Sequence, residues 1–126
     1  MSMITHITTA GEWHEAQSEG FYRGDTLPSE GFIHCSRPEQ VVRVPNGLFR
    51  ARTGLVLLVI DPSRVTAEIR DEPSGEERYP HIYGPLNISA VMAVLPFEPN
   101  ADGRFSLPPQ LEPEAIYRRC QAAGQD

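Results

Sequence analysis

Residues Leu55 to Ile60 are six consecutive branched aliphatic side chains, Leu-Val-Leu-Leu-Val-Ile, and no apolar run in the chain is longer. That length sets the architecture. It spans one strand and falls far short of the ~20 residues a membrane helix needs. With no polar position to turn towards water, the run reads as a strand buried on both faces. Asp61-Pro62 ends it. A chain of 126 residues has material for one modest core around such a strand. A single domain over residues 1–107 is expected, followed by a C-terminal tail over 108–126 with at most one short helix, near Glu114 to Ala122.

The flanking segments fill in an α+β pattern. Ile4 to Thr8 reads as a first strand, with His6 sharing a face with Ile4 and Thr8. Thr9 opens a helix, Glu12 stands at the capping-box position, Trp13 and Ala16 form its apolar stripe and Gly20 stops it. The stretch from Arg23 to Gly31 is too polar and broken for a core element. Gly31 to Ser36 reads as a strand, after which Ser36 is expected to cap a short helix containing Pro38 and Glu39. Pro45-Asn46-Gly47 ends that helix. Val65 to Glu72 and Ala90 to Leu95 read as strands, Pro73-Ser74-Gly75 as a loop and Asp102-Gly103 as a hairpin turn. Pro80 to Tyr83, bounded by prolines, reads as an edge strand. Helices come early and strands dominate later, which points to α+β rather than a doubly wound sheet.

Charge and composition remove several function classes. All eleven basic residues are arginine, so Schiff-base and P-loop lysine chemistry are absent. The net charge of −6 disfavours non-specific nucleic-acid binding, which depends on neutralising phosphates. The charge is uneven, however. Residues 31–60 hold Arg37, Arg43, Arg50 and Arg52 against Glu39 alone, a segment able to meet a phosphate. Cys35 and Cys120 make no disulfide framework in a chain of this length. The start, Met1-Ser2-Met3-Ile4-Thr5-His6, lacks the basic and apolar stretches of a signal peptide, so a cytoplasmic protein without membrane contact is expected.

Side-chain parity supplies the chemistry. Residues two apart in a strand point the same way. His34 and Ser36 therefore share a face, as do His81 and Tyr83, with Ile33, Cys35 and Ile82 behind them. Two separate strands each present an imidazole and a hydroxyl. Such groups suit hydrogen bonds to ribose, amide or phosphate oxygen, and Tyr83 can also stack on a flat ring. Each motif has a structural reading too: a core histidine with one satisfied bond, or a tyrosine anchoring the Gly84-Pro85 turn.

Other residues carry less. Cys35 neighbours His34 but faces away from it, so it reads as a small buried apolar side chain. His6, His34 and His81 with Glu72 have ligand types that suit zinc or iron, yet no His-x-His or HExxH spacing, and no metal is expected. Glu72 has two readings: a carboxylate that orients a ribose hydroxyl or stabilises an oxocarbenium-like cation, or one more solvated acid beside Asp71, Glu76 and Glu77.

Ile4-Thr5-His6-Ile7-Thr8, Trp13, Gly31-Phe32-Ile33-His34-Cys35-Ser36 with Gln40, Leu57 to Asp61 and Pro80 to Leu86 occur together in one order. In this combination, over roughly residues 3–95, the chain resembles the bacterial domain of unknown function family 952. The resemblance implies an ADP-ribosyltransferase-like fold, a split, curved β-sandwich with short helices and an NAD cleft. The His34-Cys35-Ser36 strand and Arg52-Thr53-Gly54 before Leu57 are also distantly similar to RNA 2′-phosphotransferases, which carry Arg-His-Gly where this chain has Arg-Thr-Gly. On this resemblance NAD or a related nucleotide is the expected small-molecule partner, as a substrate. His6 and His34 would hold its ribose and amide parts with Ser36 nearby, Tyr83 would stack on a ring and Arg52 would meet phosphate. His81 would line the cleft, and Glu72 would polarise a ribose hydroxyl. The rival expectations are a non-catalytic nucleotide or metabolite sensor and a histidine-based metal hydrolase.

Overall fold

A computed structural model describes residues 3–24, 26–41 and 53–108. The aliphatic run forms β4 (Leu55–Ile60), the middle strand of an antiparallel sheet between β1 (Ile4–Thr9) and β8 (Val91–Phe97). Both of its faces are covered, as an all-apolar strand requires. Leu58 and Ile60 join one buried cluster with Ile4, Trp13 and Ala16, while Leu55, Leu57 and Val59 join another with Val41, Phe97 and Phe105. Full burial of each such side chain contributes roughly 1.5–3 kcal/mol before conformational entropy is counted.

The second sheet runs in the order β3 (Ile33–His34), β6 (Glu77–Tyr83), β5 (Glu68–Ser74), again antiparallel. Ile33, Ile82 and Ile69 lie in register across it and pack into the same cluster as Leu58 and Ile60. One hydrophobic layer therefore lies between the two sheets. They also meet through the backbone, because Thr5 and Ser36 exchange bonds of 2.7 and 2.8 Å. A two-stranded ribbon of β2 (Phe21–Tyr22) and β7 (Leu86–Asn87) completes the strands. The architecture is α+β with antiparallel open sheets and few helices.

Helix α1 (Ala10–Glu19) starts and stops where its sequence dictates. Thr9 accepts a hydrogen bond from the Glu12 amide, and Gly20, at φ 89°, donates to the Ala16 carbonyl. The capping box is only half made, because the Glu12 carboxylate accepts from the Thr8 hydroxyl instead. The polar stretch after β2 contains a short helix, α2 (Thr26–Glu30), which buries no residue. Among the described residues no helix is long and apolar enough to cross a membrane.

Several expectations need correction. The strand read over 31–36 shrinks to Ile33–His34, because beyond it Ser36 leaves β6 and bridges to Thr5. The cap of the 3₁₀ turn Pro38–Gln40 is Arg37, whose amide is bonded by the Gln40 side chain at 2.9 Å, so Ser36 and Glu39 do not form it. Pro73 and Ser74 belong to β5, and the hairpin turns on Gly75-Glu76 alone, with Gly75 at φ 65°. The segment read as an edge, Pro80 to Tyr83, lies in the central strand. Proline is tolerated there because its missing donor falls on the side where β3 stops, next to the bond from the Cys35 amide to the Pro80 carbonyl. Asp102-Gly103 turns tightly through Gly103 N–H to Asn100 O, but no paired strands flank it. Arg43, Arg50, Arg52, the Pro45-Asn46-Gly47 stop, Cys120 and the tail helix lie outside the described residues.

Candidate functional site

The β3–β6–β5 sheet has two unlike faces, and strand parity decides which residues go where. Isoleucines take the core face. The other face carries His34 opposite His81, His81 opposite Arg70, and Tyr83 opposite Glu68, with Glu72 one step along β5. Phe32 precedes β3 with the same parity as His34. Its ring stacks on His81 at 4.2 Å and 17°, and meets the edges of His34 (4.8 Å) and Tyr83 (5.2 Å). The result is an aromatic surface in which His81 is 7% exposed and the His34 side chain is half exposed.

Glu72 ties this surface together. Its Oε1 accepts a bond from His81 Nδ1 at 2.9 Å and a second, short one from the Tyr83 hydroxyl. Oε2 takes no hydrogen bond from the described residues, and the side chain is about one-third exposed. The bond from Tyr83, then that from His81, holds the Glu72 carboxyl below its ordinary range. Tyr83 shifts the other way. Its bond to Glu72, helped by burial, favours the neutral phenol and raises its pKa. Arg70 closes the rim with Cζ 4.4 Å from the Tyr83 ring centroid, its guanidinium held by Glu68 at 2.9 and 3.2 Å.

The hydrogen-bond pattern fixes the His81 tautomer. A carboxylate oxygen can only accept, so in the neutral ring the proton sits on Nδ1 and the lone pair on Nε2. Nε2 has no hydrogen-bond partner among the described residues, and no buried polar side-chain atom among them lacks one, so Nε2 is not sealed from solvent. His34 is oriented by a looser contact, Nε2 at 3.3 Å from both oxygens of Glu30.

The structure brings His34, His81, Tyr83 and Glu72 together through the register of β3, β6 and β5, and gives His6 another task. His6 Nδ1 bonds the His34 carbonyl at 2.5 Å, and Nε2 meets the Tyr22 hydroxyl at 2.8 Å. The chain continues through Thr8 to Glu12. With both nitrogens engaged, His6 positions the β3 backbone from beneath. Ser36 is buried at the seam between the sheets, and no hydrogen bond joins its hydroxyl to His34, His81, Glu72 or Tyr83. Cys35 is fully buried, which pushes its thiol pKa up and leaves it unreactive. Among the described residues no three His, Cys, Asp or Glu side chains converge as metal ligands.

Phe32, Arg70 and Glu30 are additions that the sequence reading missed. Phe32 was within reach, since it is two residues before His34. Arg70 was legible only as the partner in parity of Glu72. Glu30 needed the fold of α2. A separate cavity of about 290 Å³ lies between α1 and β2, lined by Glu12, Glu15, Glu19, Phe21, Tyr22 and Arg23, none on the His81 face.

Comparison with known proteins identifies relatives of this fold. No curated protein matches the chain. The crystal structure of protein CC0527 from Caulobacter crescentus is similar at 32% identity and a TM-score of 0.80, over 87% of this chain and 98% of that one, and a double mutant of it gives the same values. The solution structure of CC0527 gives a TM-score of 0.67 at 32% identity, over 82% and 91% of the two chains. The family model described as "Protein of unknown function (DUF952)" matches residues 7–94, and the chain belongs to that family.

Proposed function

We propose that the open face of the β3–β6–β5 sheet binds NAD or a related nucleotide, and that the protein transfers the ADP-ribosyl group. The observation that carries this reading is Glu72: a carboxylate kept ionised by its neighbours, with Oε2 unspent, at the edge of an aromatic surface. Departure of nicotinamide leaves a cationic ribose. A fixed carboxylate stabilises that cation better than bulk water, because its orientation is set before the bond breaks. Phe32 and Tyr83 offer aromatic area for a flat ring, His34 offers an exposed imidazole for ribose or amide oxygen, and Arg70 puts positive charge on the rim. The antiparallel sheets joined by one hydrophobic layer agree with an ADP-ribosyltransferase-like sandwich. His6 and Ser36 act in this reading as supports for β3 rather than as ligands.

A thermal-shift panel of NAD, ADP-ribose, mononucleotides and phosphorylated sugars tests binding. Ligand at a hundred times its Kd stabilises the fold by roughly 2.7 kcal/mol. Labelled NAD then tests turnover. Release of nicotinamide that falls in Glu72→Ala supports the transferase. Saturable binding without release identifies a nucleotide sensor, and no shift with any nucleotide rejects the reading.

A further inference from the structure

We infer that His81 is the general base of this site and that the acceptor is a hydroxyl, either water or an alcohol such as a sugar or serine oxygen. The inference rests on the ADP-ribosyl reading and specifies what that reading leaves open.

One carboxylate does two jobs through its two oxygens. Oε1 of Glu72 fixes the proton of His81 on Nδ1, while Oε2 takes no bond from the described residues and is left for the ribose. An imidazole held in this way exposes a lone pair on Nε2, the arrangement a hydroxyl needs to lose its proton as it attacks. Phe32 stacked on the ring prevents it from rotating out of line, and His81 faces His34 at 5.1 Å. The charged and titratable groups round His81 are Glu72 and Arg70 on β5, Tyr79 and Tyr83 on β6, His34 on β3 and, behind His34, Glu30 on α2. No described residue bonds Nε2.

The same groups decide between acceptor classes. A guanidinium holds its proton too tightly for imidazole to remove, and Arg70 at the rim disfavours a second cation. A carboxylate acceptor needs no base. A hydroxyl needs one and carries no charge into the site. In the step, an acceptor oxygen lone pair forms the bond to ribose C1′. The C1′–N bond to nicotinamide breaks, and its electron pair neutralises the pyridinium. The hydroxyl proton passes to His81 Nε2 and then to solvent.

Two measurements test this. In free protein labelled with ¹⁵N, long-range proton–nitrogen spectra of the neutral His81 ring should show Nδ1 protonated and Nε2 bare, with Glu72→Ala abolishing that preference. A neutral ring with its proton on Nε2 in wild type overturns the inference without touching the nucleotide reading. With NAD and added methanol or glycerol as acceptors, His81→Gln should keep the NAD-induced thermal shift but slow transfer at least ~100-fold. Added imidazole should restore part of the rate in His81→Ala, which a merely structural residue would not permit. Transfer by His81→Gln within threefold of wild type overturns the proposal, as does transfer confined to guanidino or thiol acceptors. Wild-type protein that shifts with no nucleotide overturns the acceptor assignment too; the tautomer found in free protein then shows that the nucleotide reading was at fault.

Discussion

His81 lies directly across the ladder from His34, with the two rings edge to face and their centroids 5.1 Å apart. They are neighbours with opposite environments. The His34 side chain is 50% exposed and meets Glu30 across 3.3 Å, whereas the His81 side chain is 8% exposed, under Phe32 and bonded to Glu72. Removing each should therefore cost stability unequally. His34→Ala should change unfolding free energy by less than about 0.5 kcal/mol, as an exposed side chain does. His81→Ala removes a buried ring packed under Phe32, at about 1–3 kcal/mol. Urea denaturation of both variants measures the difference, and equal losses would contradict it.

Glu72 sets the ionisation of Tyr83. Its carboxylate favours the neutral phenol, so Tyr83 should lose its proton at higher pH than an ordinary tyrosine. The sign follows: with the folded pKa raised, the stabilisation is complete below the ordinary value and fades as pH rises through the shifted one. Ultraviolet titration of phenolate should show Tyr83 lagging in wild type, its contribution assigned by what disappears in Tyr83→Phe. In Glu72→Gln that tyrosine should move to lower pH, and a curve identical to wild type would contradict the bond.

At the acid end two carboxylates matter. Asp71 is held down by Arg37, bonded at 2.5 Å, and by Arg78, and Glu72 is held down by Tyr83 and His81. Both pKa values are lowered on folding, so their contribution is fully present above the ordinary carboxylate range and is lost as pH falls through the depressed values. Stability should therefore fall below about pH 4. Asp71→Asn and Glu72→Gln should each flatten that fall, as followed by thermal unfolding across the acid range. Variants that steepen it would reverse the assignment.

Much of this arrangement was legible before any coordinates. Leu55–Ile60 declared a doubly buried strand because nothing in it was polar, and parity placed His81 with Tyr83 and set Ile33 and Ile82 against the core. Parity does not say how far a strand runs. It grouped Ser36 with His34, but the chain leaves β6 at Cys35 to pair with β1, so Ser36 goes to the seam. Nor does it report what a histidine touches. His6 has the right residue type, yet a carbonyl from β3 and a hydroxyl from β2 occupy both its nitrogens, and those contacts come from segments 16 and 28 residues away. Glu72 was ambiguous because exposed acids are common. Only the hairpin through Gly75, whose register fixes Glu72 beside β6, distinguishes it from Glu76.

The turn after Tyr83 gives a test of how tightly the backbone holds the site. Gly84 has φ 153°, and a Cβ there would stand 2.9 Å from the Cβ of Ala67. Gly84→Ala therefore meets both a conformational and a steric penalty, together about 1–3 kcal/mol. The two can be separated. Ala67→Gly removes the methyl that is struck, so the double variant should recover the steric share and keep the conformational one, a coupling readable in a double-mutant cycle. Since Gly84 follows Tyr83 directly, the single variant should also disturb the bond from Tyr83 to Glu72, and the lagging phenol should titrate closer to the ordinary value. If the cycle shows no coupling, the strand end has room to move and the contact with Ala67 does not anchor it.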